Sequence, residues 1–292
     1  MRLIDFDKCN IYVIKDGFFS NLKKITDEIN DSLVYIDDEK YIDLVKKSKD
    51  ISCVIISERF KDEFNECSFG IAISDNPKAS FIKINNLLDI SYDITIKGND
   101  CRISNKANIA NNGVVIGNYV VIDDDVKIYP GVIIEDNCTI KKGVVLGSEG
   151  YDRVFFQNDK PLNIDHHGRL IIKRDTIICE YSVIDKACFN WDYTLIGEKT
   201  YIGRHVNISH GAKILSKATI SNNVSICGNV IIGKNCYIGT GSLISNRIKI
   251  GDNSIIRIGS VVSKSLDDNS DVSGNFAIEH NKHIKNTKNI AK

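Results

Sequence analysis

Three residues that could take part in proton transfer or stabilise a negative charge follow one another at intervals of eighteen: Asp192, His210 and Gly228. A carboxylate that hydrogen-bonds to an imidazole fixes its tautomer and leaves the other ring nitrogen free to accept a proton. A glycine exposes a backbone N–H that no side chain screens, and such a donor can stabilise a developing negative charge. The spacing therefore predicts a proton-transfer site, provided that the fold stacks every eighteenth residue in one column.

A six-residue repeat supplies that stacking. An aliphatic residue recurs at every sixth position from Ile116 to Leu146 and again from Ile172 to Val262, with one failure at Asn190. No α-helix keeps such a repeat on one face, because six residues turn a helix through about 600°. Three flat sides of six residues make a coil of eighteen, and successive coils stack about 4.8 Å apart as strands do. The repeat predicts a parallel β-helix that carries His210 at a turn.

Non-periodic segments flank and interrupt this β-helix. Residues 1–100 are predicted to form a small α/β domain, with SCVIIS and FGIAIS as strands and NPKASFIKINNLL as a helix that Asn76 and Pro77 open. The β-helix domain is expected to span 101–265, with a loop at 147–169 that leaves the repeat. Residues 266–292 form a polar C-terminal tail.

The overall composition excludes several classes of protein. Lysine plus arginine and aspartate plus glutamate both total 38, so a global basic surface for nucleic acid is not expected. No apolar run approaches the length of about 20 residues that a membrane span requires, and MRLIDFDKCN lacks a signal-peptide core. We therefore expect a cytoplasmic protein. The nine cysteines are scattered, which favours reduced thiols, with Cys138, Cys188 and Cys236 at inward positions of the repeat.

The non-periodic segments make one resemblance specific. LVYIDDEKYIDLVKKSKDISCVIIS and ISDNPKASFIKI resemble the uridine-binding domain of the UDP-3-O-acylglucosamine N-acyltransferase family of lipid A synthesis. The motifs GSEGYD, HHGRLII, DYTLIG and ISHGA follow in that family's order and spacing. The resemblance covers nearly the whole chain and implies a left-handed β-helix, a homotrimer and N-acyl transfer from acyl-CoA or acyl carrier protein to an amino sugar.

The same resemblance implies roles for individual residues. His210 matches the family's proposed base, Gly228 its oxyanion donor, and Asp192 an acidic position before the D-x-T-x-I-G segment. Tyr35 and Tyr41 match two rings of the uracil pocket and are expected to sandwich a pyrimidine, with Asp38 between them. His166 and Asn207 are further candidate substrate-binding residues.

The acyl donor is expected to lie along the continuation of the His210 column. Every eighteenth residue after Gly228 is next Asn246 and then Lys264. An extended pantetheine parallel to this column brings its thioester to His210. Gly241 and Gly259, in the last coils, allow close approach of a ligand to the backbone.

Two departures from the family indicate a different acceptor. Asp38 stands where the family has an asparagine, and an ionised carboxylate accepts hydrogen bonds but does not donate them. Asp165 and His166 stand where the family has Pro-Gln. These differences favour another nucleotide-linked amino sugar, with thymine as one possible base, over the lipid A substrate, which stays as the alternative.

Hexapeptide repeats also occur in proteins with other functions. His205 and His210 are five residues apart and are similar to the zinc-binding pair of γ-class carbonic anhydrases, with His166 and His167 as the other available histidines. A non-catalytic scaffold is the third reading, which leaves the N-terminal domain and the loop without a purpose. We expect no resident metal or permanently bound cofactor.

Overall fold

The computed structural model describes residues 1–150, 153–155, 161–274 and 282 in two compact units. The first, called here the N-terminal unit, consists of Met1–Asp93, Glu149–Arg169 and Lys186–Tyr193. The second, called the prism, consists of Ile94–Ser148, Leu170–Asp185 and Thr194–Lys292. Two segments of the repeat region are thus part of the N-terminal unit, and the predicted boundary near residue 100 lies at residue 93.

A five-stranded sheet forms the centre of the N-terminal unit. Its strands are β1 Tyr12–Lys15, β2 Asn21–Leu22, β3 Ser32–Ile36, β4 Ile51–Ile56 and β5 Gly70–Ile73. They lie in the order β1-β5-β4-β3-β2, with β1 antiparallel to β5 and the others parallel. The helices are α1 Ile42–Lys47 and α2 Pro77–Asn86, with 3-10 helices at Leu3–Cys9, Glu39–Tyr41 and Glu58–Phe64.

The predicted helix and its two preceding strands are confirmed. The Asn76 side chain caps α2 by accepting the Ala79 N–H at 3.0 Å, and Pro77 occupies the first turn, where a missing N–H costs nothing. The strands SCVIIS and FGIAIS correspond to β4 and β5. Both faces of the sheet are covered, because alternate residues of β3 enter two separate clusters of buried side chains.

The prism is built of short parallel strands. Those before the first excursion are β6 Ile96–Lys97, β7 Arg102–Ile103, β8 Asn108–Ile109, β9 Val114–Ile116, β10 Val121–Ile122, β11 Lys127–Ile128, β12 Val132–Ile134, β13 Thr139–Ile140 and β14 Val145–Ser148. The excursion carries the antiparallel hairpin β15 Arg153–Phe155 and β16 Pro161–Asn163. The chain then forms β17 Arg169–Ile172, β18 Ile177–Ile178, β19 Val183–Asp185, β20 Tyr193–Ile196, β21 Tyr201–Ile202, β22 Asn207–Ile208, β23 Lys213–Ile214 and β24 Thr219–Ile220. The last strands are β25 Ser225–Ile226, β26 Ile231–Ile232, β27 Tyr237–Ile238, β28 Leu243–Ile244, β29 Lys249–Ile250, β30 Ile255–Ile256, β31 Val261–Val262 and β32 Asp271–Val272.

These strands form three parallel sheets, two of eight strands and one of nine, so each coil contributes one strand to each side. The aliphatic residues of the hexads form one continuous buried cluster, which confirms the parallel β-helix predicted from the repeat. Cys138 and Cys236 belong to this cluster as predicted. The same prediction for Cys188 was wrong, since Cys188 is buried in the N-terminal unit.

A second coil, besides the one that carries the excursion, is longer than eighteen residues, and this corrects the predicted column. Ile226 pairs with Ile208, eighteen positions earlier, but Ile208 pairs with Ile184, twenty-four positions earlier. The additional residues come from Lys186–Tyr193, which is part of the N-terminal unit. Asn190 therefore has no inward position to fill. The alignment of Asp192 with His210 by an eighteen-residue step was wrong for the same reason.

The limits of the prism also differ from the expected 101–265. Its first strand is β6 and its last is β32, so the coil begins earlier and continues into the expected tail. Most of the tail, residues 275–281 and 283–292, lies outside the described residues. Within the described part of the chain, no helix has both the length and the apolar character needed to cross a bilayer.

Candidate functional site

His210 lies at a corner of the prism between β22 and β23, called here the His210 corner (residues 209–211). Gly211 has φ 69°, a left-handed conformation that glycine adopts without steric cost. Its N–H donates to Thr194 Oγ1 at 2.9 Å, and the Ala212 N–H donates to Ser209 O at 3.3 Å. These bonds fix the backbone that carries the imidazole.

The imidazole of His210 lies directly over Gly228 in the next coil. The Asn229 N–H donates to His210 O at 2.9 Å, which sets the register of the two coils. A Cβ atom on Gly228 would lie 2.8 Å from His210 Nε2 and 3.0 Å from Cε1, so any other residue would displace the ring. The register thus places Gly228 one coil after His210, as the sequence spacing predicts.

The backbone N–H of Gly228 lies two residues past an inward isoleucine. At some equivalent positions of the prism this N–H is capped by a side chain of the following coil, and at others, such as Ser216 and Thr240, no cap is formed within the described residues. Arg204 N–H donates to Asn222 Oδ1 and Lys234 N–H to Asp252 Oδ1, each at 2.8 Å. Within the described residues the Gly228 N–H makes no such bond. This donor is therefore available to a ligand beside the imidazole.

The column continues as predicted beyond Gly228. Ile226 pairs with Ile244 and Ile244 with Val262, which aligns Gly228 with Asn246 and Lys264. Asn246 and Lys264 are exposed. Gly241 and Gly259 have φ 71° and 66°, and no atom lies within 4 Å of a Cβ built on either one.

Asp192 is part of the N-terminal unit. Its carbonyl accepts the Arg169 N–H at 3.1 Å. Burial raises the pKa of Asp27, and the nearby charge of Asp192 adds to that rise. The spacing argument for an Asp192–His210 pair does not hold, because the coil before His210 has twenty-four residues.

The structure reveals a prism carboxylate that the spacing argument missed. Asp185 ends β19, in the coil before Ser209 and His210. Its Oδ1 accepts a hydrogen bond from Ser148 Oγ at 2.7 Å, and burial raises the pKa of its carboxyl group. The failed hexad at Asn190 was the available signal, because it marks the longer coil that aligns residue 185 with residue 209.

The two tyrosines expected to sandwich a pyrimidine do not lie in one cluster. Tyr35 packs against Phe81 on the α2 side of the sheet, with ring centroids 5.1 Å apart. Tyr41 packs into the cluster on the opposite face. Asp38 is half-buried, caps the 3-10 helix Glu39–Tyr41 and forms an ion pair with Lys40 at 2.7 Å. The two rings pack against different clusters, and their shared role in binding a pyrimidine stays a prediction.

His166 is buried rather than placed for substrate contact. Its side chain is 1% exposed, with Nδ1 3.0 Å from Lys186 O and Nε2 3.4 Å from Cys188 Sγ. The neighbouring His167 places Nε2 2.8 Å from Asn85 O. Direct substrate contact by His166, as expected from the sequence, is contradicted by this burial. Asn207 is exposed on β22, three residues before His210.

His205 stands at a different corner of the coil from His210. It adopts φ 54° and stacks on Tyr181 of the preceding coil, with ring centroids 5.4 Å apart and an interplanar angle of 12°. His210 instead contacts Gly228 of the following coil, at the far end of β22. The two rings do not converge, which contradicts the zinc pair considered from the sequence.

Comparison with known proteins shows which sequences and structures the chain resembles. Residues 113–148 match the family model "Bacterial transferase hexapeptide (six repeats)". The chain is 26% identical over 231 residues to a UDP-3-O-acylglucosamine N-acyltransferase of Helicobacter pylori strain 26695, covering 69% of this chain and 67% of the relative. The corresponding protein of strain J99 is 28% identical over 201 residues, covering 60% and 58%.

Among solved structures, a UDP-N-acetylglucosamine acyltransferase from Campylobacter jejuni superposes with a TM-score of 0.53 at 22% identity. The match covers 59% of this chain and 64% of that protein, so the chain spans roughly three fifths to two thirds of the length of these relatives. The fold is a left-handed parallel β-helix with a small N-terminal α/β unit, and the predicted resemblance to the UDP-3-O-acylglucosamine N-acyltransferases is confirmed.

Proposed function

We propose that the protein transfers an acyl group from acyl-CoA or acyl carrier protein to the amino group of a nucleotide-linked amino sugar. The observation that carries this proposal is the His210 imidazole lying over Gly228, beside a backbone N–H that the next coil does not cap. The names of the curated relatives, which are N-acyltransferases acting on a UDP-linked sugar, support the same chemistry.

The reaction requires a base and a hydrogen-bond donor close together. The acceptor nitrogen attacks the thioester carbon, a C–N bond forms, and the carbonyl oxygen gains negative charge. His210 takes the proton from the nitrogen, and the Gly228 N–H donates to the oxyanion. The C–S bond then breaks, and the imidazolium returns its proton to the departing thiolate. Both groups belong to adjacent coils of one corner, so the β-helix itself sets their separation.

The remaining roles follow from the same proposal. The donor lies along Asn246 and Lys264, near the open glycines Gly241 and Gly259. The N-terminal unit, with Tyr35, Asp38 and Tyr41, binds the nucleotide. Asn207 contacts the acceptor sugar from its exposed position on β22. The enzyme acts in the cytoplasm as a homotrimer.

The lipid A reaction is the second candidate, which the names of the curated relatives favour. The two candidates differ in the acceptor, because the lipid A substrate already carries a 3-O-acyl chain. UDP-3-O-acylglucosamine and UDP- or dTDP-linked amino sugars without that chain should therefore be compared as acceptors. Acceptance of the first alone would select the lipid A reaction.

The matched histidines of the prism test the assignment of the base. Thiol release from acyl-CoA is measured with each acceptor for wild type, His210→Ala and His205→Ala. Because a general base contributes about 10²- to 10⁴-fold, His210→Ala should lower kcat by that factor with little change in the Michaelis constants. His205→Ala should retain kcat. Equal rates for wild type and His210→Ala would contradict the proposed function.

A further inference from the structure

Asp185 occupies the coil directly before the His210 corner. Ile184 pairs with Ile208, so Asp185 faces the position of Ser209, and His210 is the next residue. Strand spacing and rise place the Cα atoms of Asp185 and His210 about 6 Å apart. Both residues belong to the prism. A carboxylate and the proposed base thus share one corner of adjacent coils.

The carboxylate of Asp185 is paired on one side only. Ser148 Oγ donates to Oδ1 at 2.7 Å, a bond that fixes the orientation of the side chain. Within the described residues, no Lys, Arg or His side chain forms an ion pair with Asp185. The residue is partly exposed to solvent, and within the described residues its Oδ2 atom accepts no hydrogen bond. A partly buried carboxylate without a cation is costly for the protein to maintain.

Several carboxylates at other corners of the prism pair with a lysine or arginine, and Asp136 and Asp252 instead accept a backbone N–H of the preceding coil. Glu180 pairs with Arg204 at 2.9 Å, Glu135 with Lys173 at 2.6 Å, and Asp125 with Lys142 at 3.4 Å. Within the described residues Asp185 has neither a cationic partner nor a backbone N–H on its carboxylate, and its only bond is to Ser148, at the corner where the acceptor nitrogen must arrive. A positively charged group of the substrate could therefore neutralise the Asp185 carboxylate.

We propose that Asp185 binds the protonated amino group of the acceptor sugar and holds the nitrogen beside His210. This inference rests on the proposed function, since it assigns a residue to the acceptor amine. An amino sugar arrives largely as an ammonium ion near neutral pH, and the Oδ2 atom accepts one of its N–H bonds. The ammonium loses one proton to water before attack, and His210 takes the second proton as the C–N bond forms. Asp185 is on this view a substrate-binding residue that selects an amine over a hydroxyl group.

Binding measurements on paired ligands test the inference. The best acceptor found in the thiol-release assay is compared, by calorimetry, with the same nucleotide sugar carrying a hydroxyl in place of the amine. A charge-assisted hydrogen bond corresponds to about 10- to 100-fold in affinity, which is the expected preference of the wild type for the amine. Asp185→Asn keeps the acceptor for Ser148 and should abolish the preference, while Asp185→Glu should retain part of it.

Asp125→Asn is the matched control, since it removes a carboxylate from another corner of the prism. It should leave the preference for the amine unchanged, and free UDP or dTDP should bind all variants equally. A wild type that acylates no acceptor would overturn the proposed function. A wild type that acylates an amine, with the preference intact in Asp185→Asn or absent from the wild type, would overturn the role of Asp185 alone.

Discussion

The two ends of β22 carry histidines in contrasting surroundings. His205 itself adopts the left-handed corner conformation, with φ 54°, and stacks on a tyrosine that is 50% exposed. At the His210 corner Gly211 adopts the left-handed conformation instead, and the His210 ring lies over Gly228. The same residue type is a surface ring at one corner and a candidate base at the other.

The carboxylates one coil earlier show the same contrast. The Glu180 carbonyl accepts the His205 N–H at 3.1 Å, and the Glu180 side chain pairs with Arg204. Asp185 precedes the His210 corner and has a hydroxyl as its partner. The surroundings of a corner residue in this β-helix therefore depend more on the residue one coil away than on its neighbour in sequence. The candidate site is distinguished by an imidazole that lies over a glycine of the following coil, with a carboxylate one coil before it.

The largest expected effect comes from filling the space over Gly228. In Gly228→Ala the new Cβ must displace the His210 ring, because Nε2, Cε1 and Cδ2 are its three nearest atoms. Loss of the base and crowding of the oxyanion donor should lower kcat by about 10²-fold or more. Overpacking should also lower the free energy of unfolding by about 1–3 kcal/mol. Steady-state kinetics and thermal unfolding measure the two effects.

A double variant isolates the clash. If the His210 ring alone resists the new methyl group, Gly228→Ala should cost much less stability in the His210→Ala background than in the wild type. The difference between the two costs is the coupling energy of the pair. Strictly additive stability losses would show that the ring does not lie over Gly228 in solution.

A smaller effect is expected at the His205 corner. A β-branched residue is disfavoured at positive φ by roughly 1–2 kcal/mol, whereas asparagine tolerates that conformation. His205→Val should therefore unfold at a lower temperature than His205→Asn, although both lose the ring stacked on Tyr181. Both variants should retain kcat. A large loss of kcat in either one would end the contrast between the two corners.

The sequence predicted the fold well because the fold is periodic. Each inward aliphatic residue packs on copies of itself, so the repeat alone specifies three parallel sheets and the burial of residues such as Ile208 and Ile226. The helix α2 could be predicted equally well, since Asn76 and Pro77 are local signals that do not depend on tertiary packing.

The site was predicted only where the repeat is regular. His210 and Gly228 are one coil apart because no insertion separates them, whereas the six additional residues of the preceding coil break the count back to Asp192. Tyr35 and Tyr41 are six residues apart, but their burial depends on which face of the sheet each one meets. His166 was misjudged as a substrate contact because burial of a loop residue depends on packing partners distant in sequence.

The smallest expected effect concerns thermal stability, which removal of the charge should raise at Asp185 and lower at Glu180. Burial raises the pKa of Asp185, so its contribution to stability is present below the unfolded pKa and is lost as pH rises through the folded pKa. A main-chain hydrogen bond and then Arg204 lower the pKa of Glu180, so its contribution is present above the unfolded pKa and is lost on acidification. At neutral pH, Asp185→Asn should therefore unfold at a higher temperature than the wild type. Glu180→Gln should unfold at a slightly lower one, since the Glu180 side chain is partly exposed and solvent screens its ion pair. Both differences should shrink as the pH is lowered towards 4, where thermal unfolding can be compared directly. A destabilised Asp185→Asn at neutral pH would mean that the carboxylate has a stabilising partner in solution, and the contrast between the corners would not extend to their carboxylates.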